Sequence, residues 1–499
     1  MMIVEQLRPY RVIILLFILA AFALRIPILK VRYFDPDEFQ HLHGAREIYR
    51  GQIPYRDYFE HHTPFLHFIL TGFYPIFGEE IRVLFAARAL MLVFTAAILY
   101  LTYALAKILY GTDAGLFAAL FLSYVIMFLE KTIEVRPDVP AVIFWLASLI
   151  FMVKGIQRVS SPEQPTAEAQ STTRFPLPNL YFILSGLMIG VAIMFTQKTL
   201  FAFGCLIIVL VWMFLDRRVR TPWRRKLKLA GIFLGSMMVP VVLTCLFFYA
   251  NGGLWEFINC NFIMNSRWRV RFRPYDYIMR LLSQNPFFSS ISLLGLFLGT
   301  FRMHKKEDIV KGIFAPVLCT YGLIVSLFII PVPYRQFYLL FLPLLAMYCG
   351  SIFGRMTEVS VRRTYLALSI AIVITAYLLV QTVGQLSQRN DGQLANVEYI
   401  MNIATEEDTV LDGWSGFGFL RSHAYYYFFL HSEMLAMLTE KEKSDDLINS
   451  LEEKRSKVVI YDGAVKTLPK KVQEYISSKY KPSGHGNIWV RAESELATD

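Results

Sequence analysis

The apolar residues of this chain gather into runs of about twenty, the length an α-helix needs to cross a bilayer. Such runs centre on 11–30, 81–108, 112–130, 139–153, 180–197, 199–215, 229–250, 286–301, 311–330, 336–353 and 364–383. Backbone polar groups in lipid must be satisfied internally, so continuous apolar runs of this length predict helices. The fold class is therefore a polytopic α-helical membrane protein of about eleven spans. Composition agrees: 55% of residues are hydrophobic and 18% charged, where a soluble domain carries about 25% charged. That balance excludes a soluble enzyme and leaves nucleic acid without a case as partner. The net charge of +11 points instead to membrane lipids and phosphate. The run 12–29 lacks a small-residue cleavage site and is read as the first span, not a signal peptide. Cys205, Cys245, Cys319 and Cys349 lie in apolar segments and Cys260 in a loop, with no metal or disulfide spacing.

Lys and Arg in the short loops set the orientation. A cytoplasmic N-terminus puts Arg217, Arg218, Arg220, Arg224, Arg225, Lys226, Lys228, Lys305, Lys306, Arg362 and Arg363 on the cytoplasmic side, as does the Ser/Pro/Gln-rich loop 157–178. The loops 31–80, 131–138, 251–285 and 331–335 then face outward, as does everything after 384, which makes the C-terminus extracytoplasmic. The outward side still carries cations: Lys131, Arg136, Lys198, Arg267, Arg269, Arg271, Arg273 and Arg335. They run against the topological bias. Contact with a lipid phosphate explains them, and so does pairing with the loops' own acids or snorkelling. Both explanations stand at this point. The first gives Arg136, Lys198, Arg267, Arg269 and Arg335 as candidate phosphate ligands.

The first outward loop holds the densest chemistry. Residues 32–64 carry Asp35, Asp37, Glu38, Glu47, Asp57 and Glu60 together with His41, His43, His61 and His62. Ionisable groups beside a first span mark a functional site. Asp35-Pro36-Asp37-Glu38 opens a helix in the pattern of a capping box, Asp35 as cap, Pro36 first in the helix and Glu38 at the third position. The helix should end at Gly51. Capping accounts for Asp35 and Glu38 and leaves Asp37 surplus, free to accept a proton. His61 and His62 stand before Pro64 and an interfacial stretch, where histidines bind phosphate or substrate, hold a metal, or cap. No HExxH-type spacing exists, so a divalent metal is possible but not favoured. Asp138 in Arg136-Pro137-Asp138 caps the next span or meets the first loop across a cleft.

The chain divides at about 383 into a membrane domain, 1–383, and a more polar tail, 384–499. In the tail, 409–414 and 457–462 read as strands and 439–455 and 469–479 as amphipathic helices, a small α/β domain. Its Trp414 is a candidate substrate contact.

Taken together, Asp37-Glu38, Gly51 a dozen residues on, His61 with Pro64, Phe77-Gly78 followed by Arg82 and Arg88, and Arg136-Pro137-Asp138 resemble the GT-C glycosyltransferases. The nearest look is to bacterial relatives of the dolichyl-phosphate-mannose protein mannosyltransferases and of the aminoarabinose lipid A transferases. Trp414-Ser415-Gly416 with Arg421-Ser422-His423-Ala424-Tyr425 resembles the outward tail of some bacterial members. The chain departs from the aminoarabinose branch at His62-Thr63, where that branch has Lys-Pro. The resemblance implies a polyprenyl-phosphate sugar donor and a protein, lipid or glycan acceptor. It also implies transfer with inversion, Asp37 as general base, Glu38 beside it and Asp138 as the second outward acid. A transporter or flippase of a lipid-linked sugar is the alternative. Such proteins place charges near the midplane and show internal repeats, and this sequence does neither.

Overall fold

The computed structural model describes residues 9–160, 177–219, 221–270, 273–428 and 430–492. Most of the loop 157–178, together with Arg220 and Arg271, falls outside them. Every predicted apolar run is largely helical, although 336–353 opens on a 3-10 turn, Arg335–Leu340, before the helix Leu342–Val359, and 311–330 is helical only over Phe314–Ser326. Among the described residues, six helices are long and apolar enough to cross a membrane, or eight if each of two bent pairs is one span. The helices Thr199–Leu215 and Phe314–Ser326 are apolar but shorter.

The first elements build the end of the helical bundle that meets the tail. α1 (Pro9–Val31) leads through an extended Asp35 into α2 (Pro36–Tyr49). The capping box forms as the sequence requires: Asp37 N–H donates to Asp35 Oδ1 and Asp35 N–H to Glu38 Oε1. α2 stops at Arg50, followed by Gly51 at φ +88°, a left-handed turn that glycine takes without steric cost. The chain returns through Glu60 and Pro64 into α3 (Phe65–Thr71) and α4 (Tyr74–Phe77), then descends as α5 (Arg82–Tyr110).

The run 112–130 is not one straight helix. It forms α6 (Thr112–Tyr124) and α7 (Ile126–Ile133), bent by 70°. The break falls at Val125, whose backbone is extended. The bend matters because α7 carries Lys131 and feeds directly into Glu134 and Arg136, ahead of α8 (Asp138–Ser160). A second break, 108° between Pro274–Gln284 and Pro286–Arg302, falls at Asn285 before a proline, where helical backbone is disfavoured.

The tail folds as expected in kind. Five short strands, β1 (Thr409–Asp412), β2 (Ser422–His423), β3 (Val458–Ile460), β4 (Tyr480–Pro482) and β5 (Ile488–Arg491), form one sheet in the order β2-β1-β3-β5-β4. β1 pairs in parallel with β2 and β3; β5 runs antiparallel to β3 and β4. The predicted helix 439–455 is two pieces, Glu440–Lys443 and Asp445–Glu453, because a new start follows Ser444.

The tail is fastened to the first loop. Gln393 donates to and accepts from the backbone of Phe34 at 2.8 and 2.7 Å, and Asn390 donates to the carbonyls of Lys30 and Arg32. Phe39 of α2 packs against Phe419 with ring centroids 5.3 Å apart. Phe59 N–H donates to Tyr426 O at 2.9 Å, extending the same seam.

Glu38, expected beside Asp37 among the catalytic acids, is 0% exposed and turned into this framework. Its carboxylate takes both Arg88 nitrogens at 2.7 and 2.8 Å and the Val135 N–H at 3.1 Å. Arg88 also donates to the carbonyls of Leu29, Arg32 and Tyr33. Glu38 therefore ties α2, α5 and the segment before α8 together and does not face the cavity described below. Breaking such a pair leaves a buried charge uncompensated, at a cost of about 3–5 kcal/mol. Glu38→Gln and Arg88→Met are accordingly expected to lower the yield of monodisperse protein in detergent and its melting temperature sharply. An unchanged melt for both would show that the pair is not a brace.

Candidate active site

The helix cap, the α7–α8 junction and the tail surround one cavity of about 1170 Å³. Asp35, Asp37, His61, His62, Lys131, Arg136, Gln197, Lys198, Arg335 and Trp414 line it, and so do the apolar Leu200, Phe201, Phe262, Ile330 and Val332. The cavity is thus both charged and greasy.

Its polar wall is organised by Arg136. The guanidinium donates to Asp37 Oδ2 at 2.5 Å, meets Asp35 Oδ2 at 2.9 Å and donates through Nε to Glu134 at 2.5 Å. Lys131 joins from α7, 2.6 Å from Glu134 and 3.6 Å from Asp35, and Arg32 adds a further contact to Glu134 at 2.9 Å. Asp35 is therefore more than a helix cap. Among the described residues Asp37 Oδ1 has no hydrogen-bond partner, while Oδ2 is held.

The two acids are pushed apart. Burial drives the Asp37 carboxyl up, but the cations around it, Arg136 first, pull it below its ordinary value. For Asp35, burial wins over Arg136, with Glu134 and Asp37 adding repulsion, and its carboxyl is raised. Asp37 is thus the acid held ionised. His61 is kept well below its ordinary value by burial and the neighbouring His62, so it presents a neutral ring, stacked on Trp268 at 4.9 Å.

Three of the five cations expected to meet phosphate, Arg136, Lys198 and Arg335, already pair with carboxylates. Lys198 pairs with Asp138 at 3.0 Å and Arg335 with Glu130 at 2.9 Å. Each has one such partner and each lines the cavity, whereas Arg136 serves three acids. Asp138 sits behind Lys198 and is 4% exposed. Arg267 and Arg269 do not line the cavity; both are exposed, and Arg269 donates to the carbonyls of Ser266 and Trp268. It is Trp268 between them that reaches the wall. Trp414 lines the wall from the tail, its backbone N–H donating to Asp462 at 2.6 Å.

Sequence reasoning gives no site role to Glu134 or Trp268, and counts Lys131 and Gln197, beside Lys198, only as groups at the outward boundary that could reach a phosphate or snorkel. Lys131 and Glu134 are three apart, a spacing that joins oppositely charged side chains at a helix end, whereas a lone tryptophan inside a basic run carries no local signal of its own. Among the described residues, the groups that bring three ligand-type atoms within 4.8 Å are His41–Glu60–His67 and Glu60–His61–His62, both built on Glu60.

Comparison with known proteins bears on this geometry. Residues 61–163 match the family model described as dolichyl-phosphate-mannose-protein mannosyltransferase. No curated protein matches the sequence. In fold the chain is similar to ArnT from Cupriavidus metallidurans. The apo form aligns at TM-score 0.66 and 15% identity, covering 97% of this chain and 98% of that one. The form bound to undecaprenyl phosphate aligns at 0.64 and 14%, covering 95% and 97%. The oligosaccharyltransferase AglB from Archaeoglobus fulgidus, in complex with an inhibitory peptide and a dolichol-phosphate, aligns at 0.58 and 12%, covering 97% and 75%. The chain therefore has the GT-C membrane fold.

Removing Arg136 tests the wall. In the parent protein the depressed Asp37 contributes stability above its unfolded value of about 3.9, lost only as pH falls through the lower folded value. Without the guanidinium, burial raises these carboxylates above their unfolded values, so stability is present at low pH and lost as pH rises. Arg136→Gln should cost about 3–5 kcal/mol at neutral pH and melt higher at pH 5 than at pH 7. A variant melting with the parent's pH dependence would contradict the arrangement.

Proposed function

We propose that the chain transfers a sugar from a polyprenyl-phosphate donor to an acceptor hydroxyl at the outer face of the membrane, with inversion at the anomeric carbon. The N-terminus lies in the cytoplasm and the tail outside. The observation that carries this reading is the single cavity in which an ionised carboxylate, two singly paired cations and an apolar wall meet. Few ligands need all three; a lipid-linked sugar phosphate does. The family match and the polyprenyl phosphates named with ArnT and AglB support the same donor class.

In this reading Asp37 is the general base. Arg136 holds Oδ2, so Oδ1 is presented to the acceptor. The acceptor oxygen attacks the anomeric carbon on the face opposite the phosphate. Its proton passes to Asp37, and the bond from that carbon to the phosphate oxygen breaks with its electron pair on the lipid phosphate. The phosphate leaves with one more negative charge, which calls for cations in place of an acid. Lys198 and Arg335 fill that role, Asp138 and Glu130 holding them until the donor arrives. Arg136 is instead a positioning residue for Asp37. The apolar residues take the first units of the lipid chain. His61, His62 and Trp414 line the space left for sugar and acceptor, which is a protein, lipid or glycan.

Asp35, not Asp37, caps α2, and Asn keeps the shape of Asp, so Asp37→Asn should fold and bind donor lipid while turnover with purified donor falls by about 10²–10⁴. Asp138→Asn should lose less, chiefly through weaker donor binding. Near-normal turnover of Asp37→Asn would remove Asp37 as the base.

A further inference from the structure

Beneath the cavity lies a second cluster that this reading does not use. His41 of α2, Glu60 of the returning loop and His67 of α3 are each at most 1% exposed. His41 Nδ1 stands 3.2 Å from His67 Nε2, and His67 Nε2 stands 3.3 Å from Glu60 Oε2. All three ligand-type atoms lie within 4.8 Å of one another.

Protons alone serve this arrangement poorly. If His67 Nε2 is unprotonated, its lone pair faces the Glu60 carboxylate. If it carries a proton, that one proton is shared between Glu60 and the lone pair of His41, and neither bond is full. His41 Nε2 then bears the other proton, and it is buried with no hydrogen-bond partner. A divalent cation instead takes all three lone pairs at once. Zinc bonds of about 2.0–2.2 Å at tetrahedral angles set neighbouring ligand atoms about 3.3–3.5 Å apart, close to the two separations observed. Two imidazoles and a carboxylate suit that ion.

The surroundings are those of a ligand set. Glu60 Oε1 accepts from the backbone of His61 and His62 and meets His62 Nδ1, each at 2.9 Å. That leaves Oε2 toward the histidines, held as metal-binding carboxylates are held. Gln40, at 3.1 Å from both Glu60 oxygens, has a buried Oε1 without a partner and stands at the same point. Gly44 lets the His67 ring lie against α2; a Cβ there would meet His67 Cδ2 at 3.0 Å.

We infer that His41, Glu60 and His67 form a zinc site that fastens α2 and α3 to the His61–His62 turn on the cavity floor. The ion is structural and takes no part in the transfer, and its test does not depend on activity. Full-length protein purified in detergent, with any polyhistidine tag removed, is incubated with zinc chloride and desalted, and its metal is counted by mass spectrometry. One zinc per chain is expected, falling to background in His41→Gln or His67→Gln and retained in His43→Gln. Should those variants not fold, cobalt exchanged into the parent protein reads the same site through the absorption bands of tetrahedral nitrogen–oxygen coordination. Zinc at background in well-folded parent protein, zinc fully retained in both His41→Gln and His67→Gln, or cobalt without those bands would overturn the site.

Discussion

Arg136 is the charge on which the cavity end of the molecule depends. It draws together Asp35 and Asp37 from the cap of α2 and Glu134 from the end of α7. These segments lie about a hundred residues apart in sequence. Carboxylates this close, Glu134 buried and Asp35 and Asp37 half-buried, repel one another and lose hydration, so a shared cation holds them together. The same contact fixes one oxygen of Asp37 and leaves the other toward the cavity. Structure and proposed chemistry therefore rest on a single guanidinium.

Around that point the fold supplies rigidity by the same means. The Glu38–Arg88 pair anchors α2 to α5, and the break at Val125 turns α7 so that Lys131 and Glu134 arrive beside the cavity rather than inside a straight span. The tail closes one side of the cavity through Trp414, Asp462 and Glu433 and is itself locked to Phe34 through Gln393. Nothing in this arrangement requires the tail to perform chemistry. It shapes the space an acceptor would enter.

The membrane helices and the tail's α/β character were legible because both rest on local patterns: apolar run length in one case, strand alternation and amphipathic helices in the other. The cap at Asp35 was legible for the same reason, being a matter of four consecutive residues. What the sequence could not display was pairing at long range. Lys198 and Arg335 read as cations on the wrong side of the membrane, yet they stand beside Asp138 and Glu130. Pairing with internal acids is what the structure shows for these two, and both also line the cavity. Glu38 reads as half of an acidic pair but faces away from the cavity that Asp37 lines, because adjacent residues on a helix point about 100° apart. Arg267 and Arg269 read as a basic run, whereas the side chain at the cavity wall is the tryptophan between them.

The central claim is that the cavity receives a polyprenyl phosphate with its phosphate opposite Asp37. A cryo-electron microscopy map of the chain in lipid nanodiscs with bound polyprenyl phosphate tests it most directly. The account requires phosphate density inside the cavity within hydrogen-bond reach of Lys198 or Arg335, with the lipid chain along Leu200, Phe201 and Ile330. Phosphate density outside the cavity, for example against the exposed Arg267 and Arg269, would contradict it.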